Sequence, residues 1–260
     1  MNRKKEVFFL AALILLFILV NYSFLDDALI RLFDESDTRI AERIVDGDTI
    51  VAGGENVRLL GINTPERGEW LYSEAKEYLQ ERIFNKTIKL EFGKERYDIY
   101  DRLLAYVFLN EENINLKIIE NGYANPYFPS GKDEYSQSFY DAWKKCVSEE
   151  KNLCEASKEK CASCIEIKNL DVESQEAIFY NKCSFDCTLT GWKIKDEGRK
   201  NFVFPVFVLE SEKEILIKVG DGTDTEEMLF WKGEKYVWTS TGDTLFLRDE
   251  KGKLILYYNV

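Results

Sequence analysis

The stretch that decides the fold is Val45-Asp46-Gly47-Asp48-Thr49, followed by Val57-Arg58-Leu59-Leu60-Gly61-Ile62-Asn63-Thr64-Pro65-Glu66. Thr49–Ala52 and Asn56–Ile62 are β-rich runs separated by Gly53-Gly54, a spacing that predicts a hairpin. Along it lie two carboxylates, an arginine and an Asn-x-x-Glu pair. Asp-Gly by itself is a common turn and signals no chemistry. Its neighbours change that reading. Gly61 permits a backbone break that brings Arg58 and Asn63 to one cavity despite their opposite parity. Asp98-Ile99-Tyr100-Asp101-Arg102 then places a second arginine at the start of a later strand. Acids able to hold a hard cation, set beside two arginines, are the chemistry that cutting a phosphodiester needs.

Outward from this stretch, Ile40–Val45 predicts a preceding strand, and Gly68–Phe84 carries Leu71, Ala75, Tyr78, Leu79 and Ile83 at helical spacing. Thr87–Phe92 and Leu103–Leu109 read as strands, and Ile114–Asn121 and Glu134–Lys145 as helices. Strands with helices inserted among them suit an OB-type barrel over residues 38–145. Residues 146–164 are rich in Lys and Glu and hold four cysteines, as a cross-linked linker would. From 165 to 260 short strands alternate with turn signals: Ile165–Leu170, Glu176–Asn181, Gly191–Lys195, Asn201–Val206, Ile215–Val219, Met228–Trp231, Asp243–Leu247 and Leu254–Tyr258. That pattern predicts a β-sandwich. The expected fold class is mainly β with helices: an α+β OB-fold barrel followed by a sandwich.

The chain has 260 residues, a net charge of −12 and no histidine. The missing histidine excludes Ser-His-Asp triads and His-ligated zinc. Catalysis therefore falls to carboxylates, Arg, Lys, Tyr, Cys or a metal held by oxygen. The acidic balance argues against a broad basic face, while leaving room for a local electropositive cleft. At the N-terminus, Asn2-Arg3-Lys4-Lys5 precedes the apolar run Val7–Val20. Residues 1–25 are expected to form a signal anchor, or a cleaved signal peptide, with the basic end inside and the remainder outside the membrane. Residues 26–37 read as an acidic spacer.

The motifs Asp46-Gly47-Asp48-Thr49, Val57-Arg58-Leu59, Gly61-Ile62-Asn63-Thr64-Pro65-Glu66 and Asp98-x-Tyr100-x-Arg102-x-Leu104-Ala105-Tyr106 resemble those of the thermonuclease family of staphylococcal nuclease-like domains. The resemblance covers residues 38–145. It implies an OB-fold nuclease using one Ca²⁺, with Asp48, Asn63 and Thr64 (through its carbonyl) as ligands. It assigns Arg58 and Arg102 to the phosphate and Glu66 to the attacking water, with Tyr100 and more loosely Tyr127 as contacts to the substrate. The implied reaction is attack at the 5′ P–O bond of DNA or RNA, single-stranded or locally melted. Asn63 departs from the family, which has an aspartate there, and an amide brings no charge to a calcium site. The alternative is a non-catalytic surface protein whose barrel holds nucleic acid or a partner.

All six cysteines lie between residues 146 and 187. A hairpin of Ile165–Leu170 with Glu176–Asn181, centred between Glu173 and Ser174, sets Cys164 opposite Cys183 and Cys161 nearly opposite Cys187. Cys146 is then left with Cys154. The spacing also suits a four-cysteine zinc site, but the anchor-like N-terminus favours disulfides. Leu189-Thr190-Gly191-Trp192, Phe202-x-Phe204-Pro205 and the Trp238…Gly242-Asp243…Asp249 block resemble the lamin-tail domain over residues 163–260. The resemblance implies that the sandwich is immunoglobulin-like and serves as a docking or substrate-holding accessory with an unknown partner. Trp192, Trp231 and Trp238 are expected to be packing residues.

Overall fold

Strand β5 (Thr87–Tyr97) alternates buried and more exposed side chains through Phe92, while β2 (Thr49–Ala52), β3 (Glu55–Leu59) and β6 (Leu103–Leu109) carry runs of buried residues, and β1 (Ser36–Ile44) precedes them. In the computed structural model, which describes residues 36–239 and 243–259, they close into a barrel. The order β3-β2-β1-β5-β6 is completed by a parallel β3–β6 pairing, with Arg58 opposite Leu104. Inside lie Ile50, Val57, Leu59, Ile88, Leu90, Leu103 and Val107. The expected anchor and all but the end of the acidic spacer fall outside the described residues. Among those residues no helix is long and apolar enough to cross a membrane.

The expected single strand Asn56–Ile62 is two pieces, β3 and β4 (Gly61–Asn63). Gly61 has φ +74°, and a Cβ there would come within 2.7 Å of the Phe139 ring. The break is pinned by fully buried Asn115, which donates to the Leu60 carbonyl at 2.8 Å and accepts from the Val107 amide at 3.0 Å. After the break, β4 pairs with β8 (Asn125–Tyr127), a strand too short for the pattern to announce. The short β7 (Glu112–Asn113) likewise extends the barrel wall along β6.

Helix α1 spans Tyr72–Ile83, not Gly68–Phe84. Leu71 at φ +67° breaks the helical path, and residues 66–71 form turns joined by Glu69 N–H to the Glu66 carbonyl at 2.9 Å. Helix α2 (Ile114–Glu120) is capped by the Asn113 side chain, which accepts from the Leu116 amide. Helix α3 (Ser136–Ser148) packs Phe139, Ala142, Trp143 and Cys146 inward.

In the second half, β9 (Ile165–Asp171), β10 (Glu176–Asn181), β15 (Glu214–Val219) and β16 (Met228–Trp231) form one sheet. A second comprises β12 (Lys193–Lys195), β13 (Asn201–Val203), β17 (Thr244–Arg248) and β18 (Leu254–Asn259). A short ribbon pairs β11 (Cys187–Thr188) with β14 (Val208–Leu209). Phe179, Ile194, Ile217, Trp231, Trp238 and Leu247 fill the space between the sheets, so the tryptophans are core residues. The β9–β10 hairpin has the expected centre, and the disulfides are Cys146–Cys154, Cys161–Cys187 and Cys164–Cys183. No described cysteine is left free for zinc.

Strand β17 is buried at all five positions. Leu245 and Leu247 enter the sandwich core, while Phe246 packs edge-on against Trp143 of α3 at 5.4 Å and belongs to the barrel's core. Leu254 joins that same barrel core.

Candidate active site

The turn after β1 is shaped by Asp46, whose carboxylate accepts the Asp48 amide at 3.1 Å. Gly47 lets Thr64 approach, because a Cβ there would lie 2.9 Å from three Thr64 side-chain atoms. Asp48, Arg58, Asn63 and Thr64 therefore meet, each under 10% exposed. Asp48 Oδ2 accepts from the Thr64 N–H and hydroxyl, both at 2.9 Å, and lies 3.3 Å from Arg58 Nη2. Asp48 Oδ1 accepts from the Thr49 hydroxyl at 3.2 Å. Arg58 is anchored further by the carbonyls of Leu59 at 2.6 Å and Ile62 at 2.9 Å, both supplied by the broken strand. Removing one member of such a buried pair costs about 3–5 kcal/mol, because the other charge is stranded.

Asn63 faces two ways. Its Oδ1 is 3.5 Å from Arg58 Nη2, and its Nδ2 donates at 2.8 Å to the carbonyl of Gly198, in the loop between β12 and β13. Arg199, the next residue, places Nε 2.7 Å from Glu66 Oε1, with both side chains about half exposed. Asn125 donates to the Glu197 carbonyl at 2.9 Å. Lys195 grips both oxygens of Glu69 at 2.7 Å. Burial alone would raise Glu69, but the Lys195 ammonium and its hydrogen bonds hold it below the usual carboxylate range. The loop Asp196–Lys200 of the sandwich domain thus lies against the mouth of the barrel site.

Arg102 sits just before β6, with Nε and Nη2 on Asp98 Oδ2 at 2.8 and 2.6 Å. Among the described residues no hydrogen bond or ion pair joins it to Asp48, Arg58, Asn63 or Glu66. Tyr100 is exposed at the tip of the same turn, its ring 5.5 Å from the Arg102 guanidinium. Tyr127 is half-buried beside Gly198, and burial followed by the charge of Asp196 pushes its hydroxyl upward. Burial and the neighbouring Asp48 charge raise Asp46, so these two carboxylates sense each other.

The Asp48 carboxylate, Asn63 amide oxygen and Thr64 carbonyl are hard donors, and Asp46 is a second carboxylate close by. That chemistry fits an oxygen-seeking cation such as Ca²⁺ and not zinc. Among the described residues there is no cluster of three or more His, Cys, Asp or Glu side chains able to hold a metal. The fit therefore relies on amide and backbone oxygens.

The sequence reading missed the contribution of the second domain: Glu197, Gly198 and Arg199 at the mouth, and Arg248 behind it. A signal existed in Thr244-Leu245-Phe246-Leu247-Arg248, where consecutive apolar residues in a strand mean burial on both faces.

Residues 56–155 match the family model for staphylococcal nuclease homologues, and residues 158–260 match that of the lamin tail domain. The chain is 31% identical over 129 residues to the thermonuclease of Staphylococcus intermedius, covering 46% of this chain and 77% of that protein. It is 31% identical over 121 residues to the thermonuclease of Staphylococcus hyicus, covering 43% and 72%. It is also 33% identical over 99 residues to an uncharacterized endonuclease of Haemophilus influenzae, covering 36% and 54%.

Proposed function

The chain belongs to the staphylococcal nuclease family of thermonucleases, and from that premise we propose that it is a calcium-dependent endonuclease cleaving DNA or RNA outside the cytoplasm. The observation that carries the reading is the buried Asp48–Arg58 pair clasped by Thr64 and Asn63, with Glu66 at the open side.

Asp48, Asn63 Oδ1 and the Thr64 carbonyl are the residues that would hold Ca²⁺, which when bound supplies Lewis acidity at the phosphate. Arg58, fixed by two carbonyls, offers its remaining N–H groups to a non-bridging phosphate oxygen and offsets the charge that develops there. Arg102 adds a second guanidinium after exchanging Asp98 for phosphate. Glu66 accepts the proton of the attacking water as the new O–P bond forms. Attack at the 5′ P–O bond leaves 3′-phosphate ends. Arg199 holds Glu66 until substrate arrives. An exposed pair of this kind contributes at most about 1 kcal/mol, so release is cheap. Tyr100 and Tyr127 flank the strand on either side.

Three disulfides suit an oxidising compartment, and residues 1–25 would tether the enzyme to the membrane facing it. The test is digestion of plasmid and single-stranded DNA with Ca²⁺ or with chelator, comparing wild type with Glu66→Gln and Arg102→Ala. Cutting that needs Ca²⁺ and falls at least a hundredfold in Glu66→Gln is the expected result, about the size of a lost general base. Metal-independent retention of DNA without cleavage would instead identify a binding module.

A further inference from the structure

Behind Asn63 and Thr64, between the barrel and the sandwich, lies a cavity of about 260 Å³ lined by Trp70, by the cations Lys193, Lys195, Arg248 and Lys251, and by the carboxylates Glu69, Asp196 and Glu250, so that the cations outnumber the acids by one. Its charge is unbalanced in one place. Arg248 is 7% exposed, yet its hydrogen bonds go to neutral carbonyls, those of Leu153 at 2.6 Å and Gly252 at 3.0 Å. Among the described residues no carboxylate lies within ion-pair distance of it. Burial lowers its pKa to about 10, against the opposing pull of Glu69 and Asp249. On the adjacent strand, Lys193 is the register partner of Arg248. It too has no ion-pair partner among the described residues. Like charges directly opposite in an antiparallel pair repel each other, and a buried unpaired guanidinium is costly. Lys195, two residues on along β12, is already neutralised by Glu69.

An anion between Lys193 and Arg248 would relieve both costs. The cavity adjoins the proposed phosphate-cleaving centre through Asn63 and Thr64, and Trp70 and Phe246 give it apolar walls. We infer that this interdomain cavity is a nucleotide subsite. In it Lys193 and Arg248 bind the phosphate of a nucleic-acid strand next to the scissile one. The inference rests on the nuclease reading. It makes the lamin-tail domain part of the substrate-binding surface, with its own contribution to KM.

The test uses the full chain with Lys193→Glu, a half-exposed position, and with Arg248→Gln as a second variant. Substrates are a dinucleotide, which carries only the scissile phosphate, and a single-stranded dodecamer. Lys193→Glu should raise KM for the dodecamer about five- to tenfold, with kcat and all dinucleotide kinetics within about twofold of wild type. The log–log salt dependence of dodecamer binding, read by fluorescence anisotropy in chelator, should become shallower by about one phosphate contact. Unchanged dodecamer affinity and KM in Lys193→Glu would overturn the subsite, even if Arg248→Gln fails to fold. If Lys193→Glu abolishes inhibition by adenosine 5′-monophosphate but leaves the dodecamer KM alone, the cavity takes free nucleotide and the strand assignment falls. Failure of the nuclease reading is distinguishable, because wild type would then cleave neither substrate while the anisotropy comparison would still report on the subsite.

Discussion

Replacing Asn63 with aspartate should loosen the metal-free protein while tightening its hold on calcium. The Asn63 side chain is 3% exposed, and its Nδ2 donates to the Gly198 carbonyl at 2.8 Å. Asn63→Asp sets an oxygen against that carbonyl with no proton between them. The lost hydrogen bond and the stranded buried acceptor together cost about 1–3 kcal/mol. Arg58, 3.5 Å from Asn63 Oδ1, returns part of this, and repulsion from Asp48 takes it away again. A net loss of about 2 kcal/mol in a folded unit of this size lowers Tm by roughly 4–8 °C. Calcium offsets most of that loss, because an added carboxylate raises the charge of the ligand set. A tenfold tighter Kd returns about 1.4 kcal/mol at saturating metal. Differential scanning calorimetry in chelator and in millimolar Ca²⁺, with calorimetric titration of the ion, measures both effects. A variant melting at or above wild type in chelator would show that the Gly198 contact does not hold Asn63. Weaker calcium binding would show that position 63 does not face the ion.

Burial raises Asp196 and Glu197 to about 7 each, with Asp243 adding its charge to both. Folded values above the unfolded ones mean their stabilising contribution is complete below about pH 4 and lost as pH rises through 7. Asp196→Asn should therefore gain stability relative to wild type between pH 5 and 8, read as urea midpoints across that range; a constant difference would contradict the assignment. Removing the Cys146–Cys154 bridge, which closes an 8-residue separation, should cost about 2.5 kcal/mol by chain entropy, measured by denaturant unfolding of the double alanine variant. Phe246→Ala removes the ring packed on Trp143 and should cost about 3–5 kcal/mol, with nuclease and sandwich signals lost in a single transition. Two separated transitions would refute the joint core.

Much of the barrel was legible because Thr49–Ala52 and Leu103–Leu109 are short β-rich apolar runs bounded by turn residues. The meeting of Arg58 with Asn63 was legible too, since Gly61 is the one residue there able to turn the chain. The start of α1 was not: Leu71 continues the apolar spacing while its backbone leaves the helical region, and spacing carries no φ. Hairpin register set Cys164 against Cys183 and Cys161 against Cys187, and Cys146–Cys154 followed by elimination once disulfides were preferred to zinc. What the sequence concealed was docking. Gly198, Arg199 and Arg248 belong to a module whose own pattern is complete, so nothing local announces that their contacts lie with Asn63, Glu66 and Leu153.

Strand β17, buried on both faces, has a consequence for how such proteins arise. Two modules joined by a tether can be exchanged between genes, since neither depends on the other's surface. Here Phe246 completes the packing of Trp143, and Leu254 fills a place in the barrel's interior. A nuclease that lost its tail would expose that tryptophan to water, and a tail moved elsewhere would carry an apolar face with nothing to cover it. The two halves match separate sequence families, yet in this chain they share one packed seam at Trp143 and Phe246, so neither surface is finished without the other.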